Sequence, residues 1–283
     1  MNSNSSLPPA TVGVKACARM LTSASTYDWM AKKYRHWRTR RAQNSLQREY
    51  DHSGRVAQKL ISEQGSRVPR GPFAGLVLRP DAVGSALAPK LVGSYEAELH
   101  PVLEKIFHRD YLRIVDIGCA EGYYAVGLAL RFPDTEVWAF DLNPDALKAS
   151  AHLALLNHVH RQLLLGIECD HKRLNELCAP GTLVVCDIEG AESELFDLEL
   201  APNLRSADLL VEVHPSGNGT NQLDVLCRRF ESTHTATVVA SRGRLPAEYP
   251  ELLRHLSPRD IAVALCEFRP PMHWVFWETR SKS

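Results

Sequence analysis

Val115-Asp116-Ile117-Gly118-Cys119-Ala120-Glu121-Gly122 is the stretch on which the fold of this chain turns. The preceding Arg113-Ile114-Val115-Asp116 reads as a short buried strand, and an apolar helical pattern runs on through Leu130. Glycines between a strand and a helix let the backbone turn sharply and come close to a ligand. The helix that follows offers unpaired N–H groups and the positive end of its dipole. In open α/β sheets ligands sit at the carboxyl ends of the strands, near the point where strand order reverses. Asp116 and Glu121 make this turn acidic, which suits a positively charged ligand better than a pyrophosphate. The glycines alone fit a tight turn without a ligand equally well.

The alternation continues outward on both sides. Leu99, Val102, Leu103, Ile106 and Phe107 mark an amphipathic helix before the turn. After it come Glu136–Asp141 as a strand, Pro144–Asn157 as a helix and Leu163–Ile167 as a strand. A short helix follows around Leu174, then Leu183–Asp187 as a strand, Glu192–Leu198 as a helix and Asp208–Val213 as a strand. Thr235–Ala240 and His273–Glu278 are two late strands joined by a proline-rich connection. Strands apolar on both faces and alternating with helices predict a parallel sheet covered on both sides. The expected fold is α/β: a doubly wound, mostly parallel, seven-stranded Rossmann-like sheet over residues 93–283, with an N-terminal helical extension.

Residues 1–26 are polar, small and proline-containing, and are expected to form a disordered tail. Residues 27–62 read as a helix with the stripe Tyr27, Met30, Tyr34 and Trp37 and many basic residues, and 65–93 as loop; together 27–92 are expected to form a helical and loop cap. The basic aromatic helix fits a core face with solvated charges, or an anionic partner. Over all 283 residues, 33 basic and 33 acidic side chains cancel, so no global field favours nucleic acid or membrane. No apolar run is long enough to span a bilayer, and the start lacks the apolar core of a secretory signal. The seven cysteines are scattered, with no C-x-x-C pair, which argues against a disulfide framework or zinc knuckle and for a reducing, cytoplasmic compartment.

Asp141 closes the second strand. A carboxylate there can accept hydrogen bonds from both ribose hydroxyls of a nucleoside-containing cofactor. Asp116-x-Gly118-x-x-x-Gly122 followed by Asp141 resembles the first two motifs of the class I S-adenosylmethionine-dependent methyltransferases. The common form has a third glycine where this chain has Ala120. Asp187-Ile188-Glu189-Gly190-Ala191-Glu192 looks like the Asp-Val-Glu-Gly-x-Glu signature of the FkbM-like branch. The resemblance covers residues 93–283. It implies S-adenosyl-L-methionine as cofactor, with Asp116, Gly118, Cys119 and Gly122 at the methionine part, Asp141 at the ribose and the Cys169-Asp170 end of the third strand near the adenine. It also implies methyl transfer to a hydroxyl of a small molecule such as a sugar or polyketide.

Asp187 and Glu189 lie at the end of the fourth strand, beside the expected methyl position. Glu212 and His214 lie two apart at the end of the fifth, on one face. Displacement at a sulfonium gains when the attacking hydroxyl loses its proton, so His214 and Asp187 are the candidate catalytic residues. Asp187, Glu189 and His214 holding a divalent metal is the alternative, and Glu189 and Glu192 merely complementing a helix dipole is the structural one. An NAD(P)-dependent oxidoreductase would use a similar turn, yet G-x-G-x-x-G and Tyr-x-x-x-Lys are both missing. A catalytically silent binding module is the remaining rival. The acceptor pocket is expected from residues 27–92 and 241–271.

Overall fold

The computed structural model describes residues 47–80, 86–215 and 221–280. The chain divides into two compact units, Met1–Asp51 and His52–Ser283. Of the first, residues 47–51 are described and are helical. The expected disordered tail and the stripe of Tyr27, Met30, Tyr34 and Trp37 lie outside the described residues.

The larger unit opens with α1 (52–64), followed by α2 (Leu87–Val92) and α3 (His100–Phe107). β1 (Arg113–Ile117) leads through the glycine turn into α4 (Tyr123–Arg131). Then come β2 (Glu136–Phe140), α5 (Pro144–Leu156), β3 (Leu163–Gly166), α6 (His171–Leu177), β4 (Thr182–Cys186), the four-residue α7 (Glu192–Leu195) and β5 (Asp208–Val213). α8 (Gln222–Phe230), β6 (His234–Ala240), α9 (Pro250–Leu253), α10 (Pro258–Ala264) and β7 (His273–Thr279) complete it.

The seven strands form one sheet in the order β3-β2-β1-β4-β5-β7-β6. β1 to β5 run parallel, and β7 runs antiparallel to both β5 and β6. The order reverses between β1 and β4, so the loops after these two strands part and leave a crevice. The central strands are buried along almost their whole length, which explains their unbroken Ile, Val and Leu runs. Period-two alternation divides those runs between two cores. Ile114, Leu183, Val185 and Leu210 pack with α1 to α5 and α10. Val115, Val184, Cys186 and Val211 pack with α6, α8 and the 196–207 segment.

Local signals start the helices. Asn143 accepts the amide of Asp145 ahead of Pro144, and Asp170 accepts that of Arg173 at 2.7 Å. Two expectations need correction. The stretch 65–93 is not all loop: Leu87–Val92 is a fully buried turn of helix, packed near α10 in the same core and ended by Gly93 in the left-handed conformation. The helix beginning at Glu192 stops at Leu195 rather than Leu198, because Phe196 turns into the core beneath β5. The contact division at 51/52 also differs from the domain line expected at 92/93, since Val56, Leu60, Leu76 and Leu91 belong to the same core as the sheet.

Candidate active site

A cleft of about 460 Å³ opens at the carboxyl ends of β1 to β4. Gly118 forms part of its floor with φ 82°, and a Cβ there would stand 1.8 Å from the carbonyl oxygen of Asp187. The close approach follows from the β1–β4 register: Asp187 N–H donates to Ile117 C=O at 2.9 Å, so the chain just beyond has no room for a side chain. Ala120 has φ 46°, a left-handed backbone that costs a non-glycine residue about 1 kcal/mol. Its N–H donates to Asp141 Oδ2 at 2.9 Å, while Asp141 Oδ1 accepts the amide of Asn143 at 2.8 Å. Asp141 is thereby pinned to the glycine turn with lone pairs to spare.

Six carboxylates line the cleft, those of Asp141, Glu168, Asp170, Asp187, Glu189 and Glu194, and among the described residues no lysine or arginine does. Leu142 and Ile167, also lining it, are 73% and 63% exposed, apolar surface of the sort a bound ring would cover. The lining suits a ligand that carries positive charge and an apolar plane, and it repels a diphosphate.

Asp116, Cys119 and Gly122 do not line the cleft. Asp116 is buried under α4, where it accepts the amide of Ala125 and so caps a helix whose N-terminal Gly122 has no side chain to do it. Burial, then the nearby Asp187 charge, pushes its carboxyl up to about 8. Cys119 is buried, and burial pushes its thiol far up. Glu121 forms a buried ion pair with Lys90 of α2, and the ammonium lies 4.7 Å and 4.6 Å from the ring centroids of Tyr95 and Tyr123.

Beyond the cleft, β4 and β5 bring Asp187 and His214 together. His214 Nε2 stands 3.6 Å from Asp187 Oδ1, 3.4 Å from Glu189 Oε2 and 3.9 Å from Glu212 Oε2. Its Nδ1 is 2.7 Å from Glu192 Oε1. Burial would lower the imidazole pKa, but the Glu192 hydrogen bond and the Asp187 charge outweigh it and raise it. Burial, opposed by His214, also raises the Asp187 carboxyl. Glu212 is pushed up to about 10 by burial and by the charges of Asp187 and Glu96, against the pull of Arg269. Arg269 bonds Glu212 and Glu267 and stands 3.1 Å from Glu96, and Arg244 bridges Glu98 and Glu267.

Sequence reasoning placed Asp187 and His214 on neighbouring strands. It did not assign Glu212, Arg244, Arg269, Glu96, Glu98 or Glu267 to the site. The two arginines sit in the irregular 241–271 segment, where no periodicity marks an inward residue. Glu192, read as a helix-dipole acid, is fully buried against His214. Asp187, Glu212 and His214 each offer an atom within 4.8 Å of the others, so the cation-competent group includes Glu212 where the sequence suggested Glu189.

No family model matches the chain. It is 33% identical over 110 residues to the release factor glutamine methyltransferase of Deinococcus radiodurans, 38% of this chain and 39% of that protein. The chain therefore spans about two fifths of the length of the curated relative it matches. Among solved structures it is similar to the O-methyltransferase TomG from Streptomyces achromogenes, crystallised with S-adenosylmethionine, at 17% identity and TM-score 0.43, covering 65% of this chain and 80% of that one. An rRNA methylase from Streptococcus thermophilus gives 12% identity and TM-score 0.43, covering 65% and 97%. Overlap at that level carries no argument about activity; the fold stands on the strand order.

Proposed function

We propose that this chain is an S-adenosylmethionine-dependent methyltransferase acting on a hydroxyl of a small molecule. The observation that carries the reading is the acid-lined cleft at the β1–β4 switch point, floored by Gly118 and walled by Asp141. A sulfonium bearing an ammonium group fits that lining, and the diphosphate of a nicotinamide cofactor does not. The partial likeness to a methyltransferase supports the same class, and the Asp187–Glu192 run supports the FkbM-like branch. Free thiols at all six described cysteines are consistent with a cytoplasmic setting.

The cofactor, when bound, supplies an electrophilic methyl carbon on a sulfur that leaves as a neutral thioether. Asp141 would accept hydrogen bonds from the ribose hydroxyls with a carboxylate already held by two backbone amides. Asp170, at the rim of the cleft with exposed Leu142 and Ile167, would face the adenine. Asp187 and His214 would flank the acceptor hydroxyl where it meets that methyl group. The hydroxyl proton passes to His214 Nε2, and the imidazolium is balanced by Asp187 and Glu192. The expected cap over residues 27–92 lies partly outside the described residues; its last part, α2, meets the glycine turn through the Lys90–Glu121 ion pair, which supports a role for that helix beside the acceptor pocket.

Calorimetry with S-adenosylmethionine tests the reading. We expect binding that weakens at least tenfold in Asp141→Ala, from loss of two charge-assisted hydrogen bonds worth roughly 1.5–3 kcal/mol each. No binding by the folded wild-type protein would overturn the function. Unchanged affinity in the folded variant would overturn the ribose assignment.

A further inference from the structure

Glu192 is out of place as an ordinary helix-start acid. The helix it opens has only four residues and a correspondingly small dipole. Its side chain is fully buried, and Oε1 accepts the amide of Gly190, before the helix, at 3.0 Å as well as standing 2.7 Å from His214 Nδ1. Its other oxygen, Oε2, is buried without a hydrogen-bond partner. A buried carboxylate so poorly solvated is costly unless a positive or proton-donating group faces it, and among the described residues the side chain that does so is His214.

The backbone is strained to bring the two together. Glu189 and Gly190 are consecutive left-handed residues, with φ 57° and 110°. A non-glycine residue there costs of order 1 kcal/mol and persists only where the surroundings impose it. Gln222 of α8 imposes it, donating from Nε2 to Gly190 C=O at 2.8 Å and accepting the Ser193 amide at 3.0 Å. This neutral clamp fixes the 190–193 turn, and Glu192 with it, against the end of β5.

The two ring nitrogens of His214 therefore see different surroundings. Nδ1 has a carboxylate at hydrogen-bond distance. Nε2 looks toward Asp187 and Glu189 from the β4 loop and Glu212 from β5, all beyond ordinary hydrogen-bond length, with Arg269 behind Glu212. The hydrogen bond one nitrogen makes decides which nitrogen carries the proton in the neutral ring.

We propose that Glu192 is a positioning residue that holds neutral His214 with its proton on Nδ1, leaving the Nε2 lone pair on the Asp187 side to receive the acceptor's proton. Only the last clause rests on the methyltransferase reading. The proton balance closes: the acceptor O–H breaks, Nε2–H forms, and the ring becomes an imidazolium that keeps its Nδ1–H toward Glu192. Without Glu192 the ring is free to turn over, placing N–H where a base needs a lone pair.

The test is nitrogen NMR of the full-length protein labelled at its histidine rings, titrated with pH and without any methyl acceptor. His214→Asn assigns the His214 signals among the twelve histidines. Above its pKa, His214 in the wild type should show the Nδ1–H tautomer. Glu192→Gln keeps the shape and an oxygen acceptor but removes the charge, so the His214 pKa should fall by about one pH unit or more. Glu192→Ala should shift the neutral ring to the Nε2–H tautomer while leaving S-adenosylmethionine affinity within about twofold. A His214 pKa unchanged in folded Glu192→Gln, or an Nε2–H tautomer in the wild type, would overturn the proposal. Absent cofactor binding together with the expected tautomer would instead strike the methyltransferase reading alone.

Discussion

The ends of β1 and β2 and the ends of β4 and β5 face adjoining space but are built on opposite principles. On the cleft side of the glycine turn, charge stays close to water and is fixed by backbone amides, as at Asp141. Around His214, carboxylates are packed out of water. Glu192 and Glu212 are 0% and 4% exposed at the side chain, with Arg269 gathering four acids from three chain segments. The first arrangement suits holding a ligand whose charge does not change. The second suits moving a proton, because burial keeps carboxyl and imidazole pKa values away from their usual ranges and sensitive to one another.

Substitutions at the two regions should therefore fail in different ways. The largest effect is expected at the proton-handling side: His214→Ala should lower methyl transfer about 10²–10⁴-fold while leaving S-adenosylmethionine affinity nearly unchanged. Transfer from labelled cofactor to acceptors in cell extract, read beside calorimetry, checks this. Full transfer by the variant would move the reacting centre elsewhere, and activity lost on chelation and restored by magnesium would give Asp187, Glu212 and His214 to a cation. On the ligand-holding side, Gly118→Ala should cost about 2–5 kcal/mol of folding stability, because the new Cβ collides with the Asp187 carbonyl and the left-handed backbone is penalised as well. Denaturant unfolding measures it, and a loss below about 1 kcal/mol would mean that the β1 and β4 ends are not so tightly registered.

Asp116 lies beneath both regions and gives a pH signature. An unfolded Asp ionises near pH 4, whereas the folded group keeps its proton to about pH 8. Between those limits the unfolded chain binds fewer protons, so stability falls as pH rises through the window and levels off above it. Asp116→Asn, which still offers an oxygen to the Ala125 amide, should lose less stability than the wild type between pH 5 and pH 8 in thermal melts. Parallel pH dependence in the two proteins would contradict the buried, protonated state. The smallest effect is expected at Ala120: Ala120→Gly should raise stability by about 1 kcal/mol or less, as relief of the left-handed backbone is partly offset by greater unfolded-chain entropy. A clear loss of stability would show that the methyl group, not the backbone, matters there.

Much of this architecture was legible beforehand. Apolar runs of strand length, such as Leu183-Val184-Val185-Cys186, and the proline that starts α5 are local signals, and they read correctly. Asp141 and the glycines could be placed because a strand, a turn and a helix leave one geometry for the residues between them. Leu87–Val92 misled because its proline and lysine look like loop, while its burial comes from segments far away in sequence, α10 among them.

The sequence by itself determined the α/β alternation, the glycine turn and the placing of Asp187 and His214 on successive strand ends. These follow from local sterics and periodicity, which act over a few residues at a time. Only the tertiary structure decided that Glu192 lies against His214, that Asp116 turns inward to cap α4, and that Arg269 and Arg244 neutralise acids from 96, 98, 212 and 267. Buried charges are matched across space by whichever segment packs there, and no spacing along the chain records that meeting.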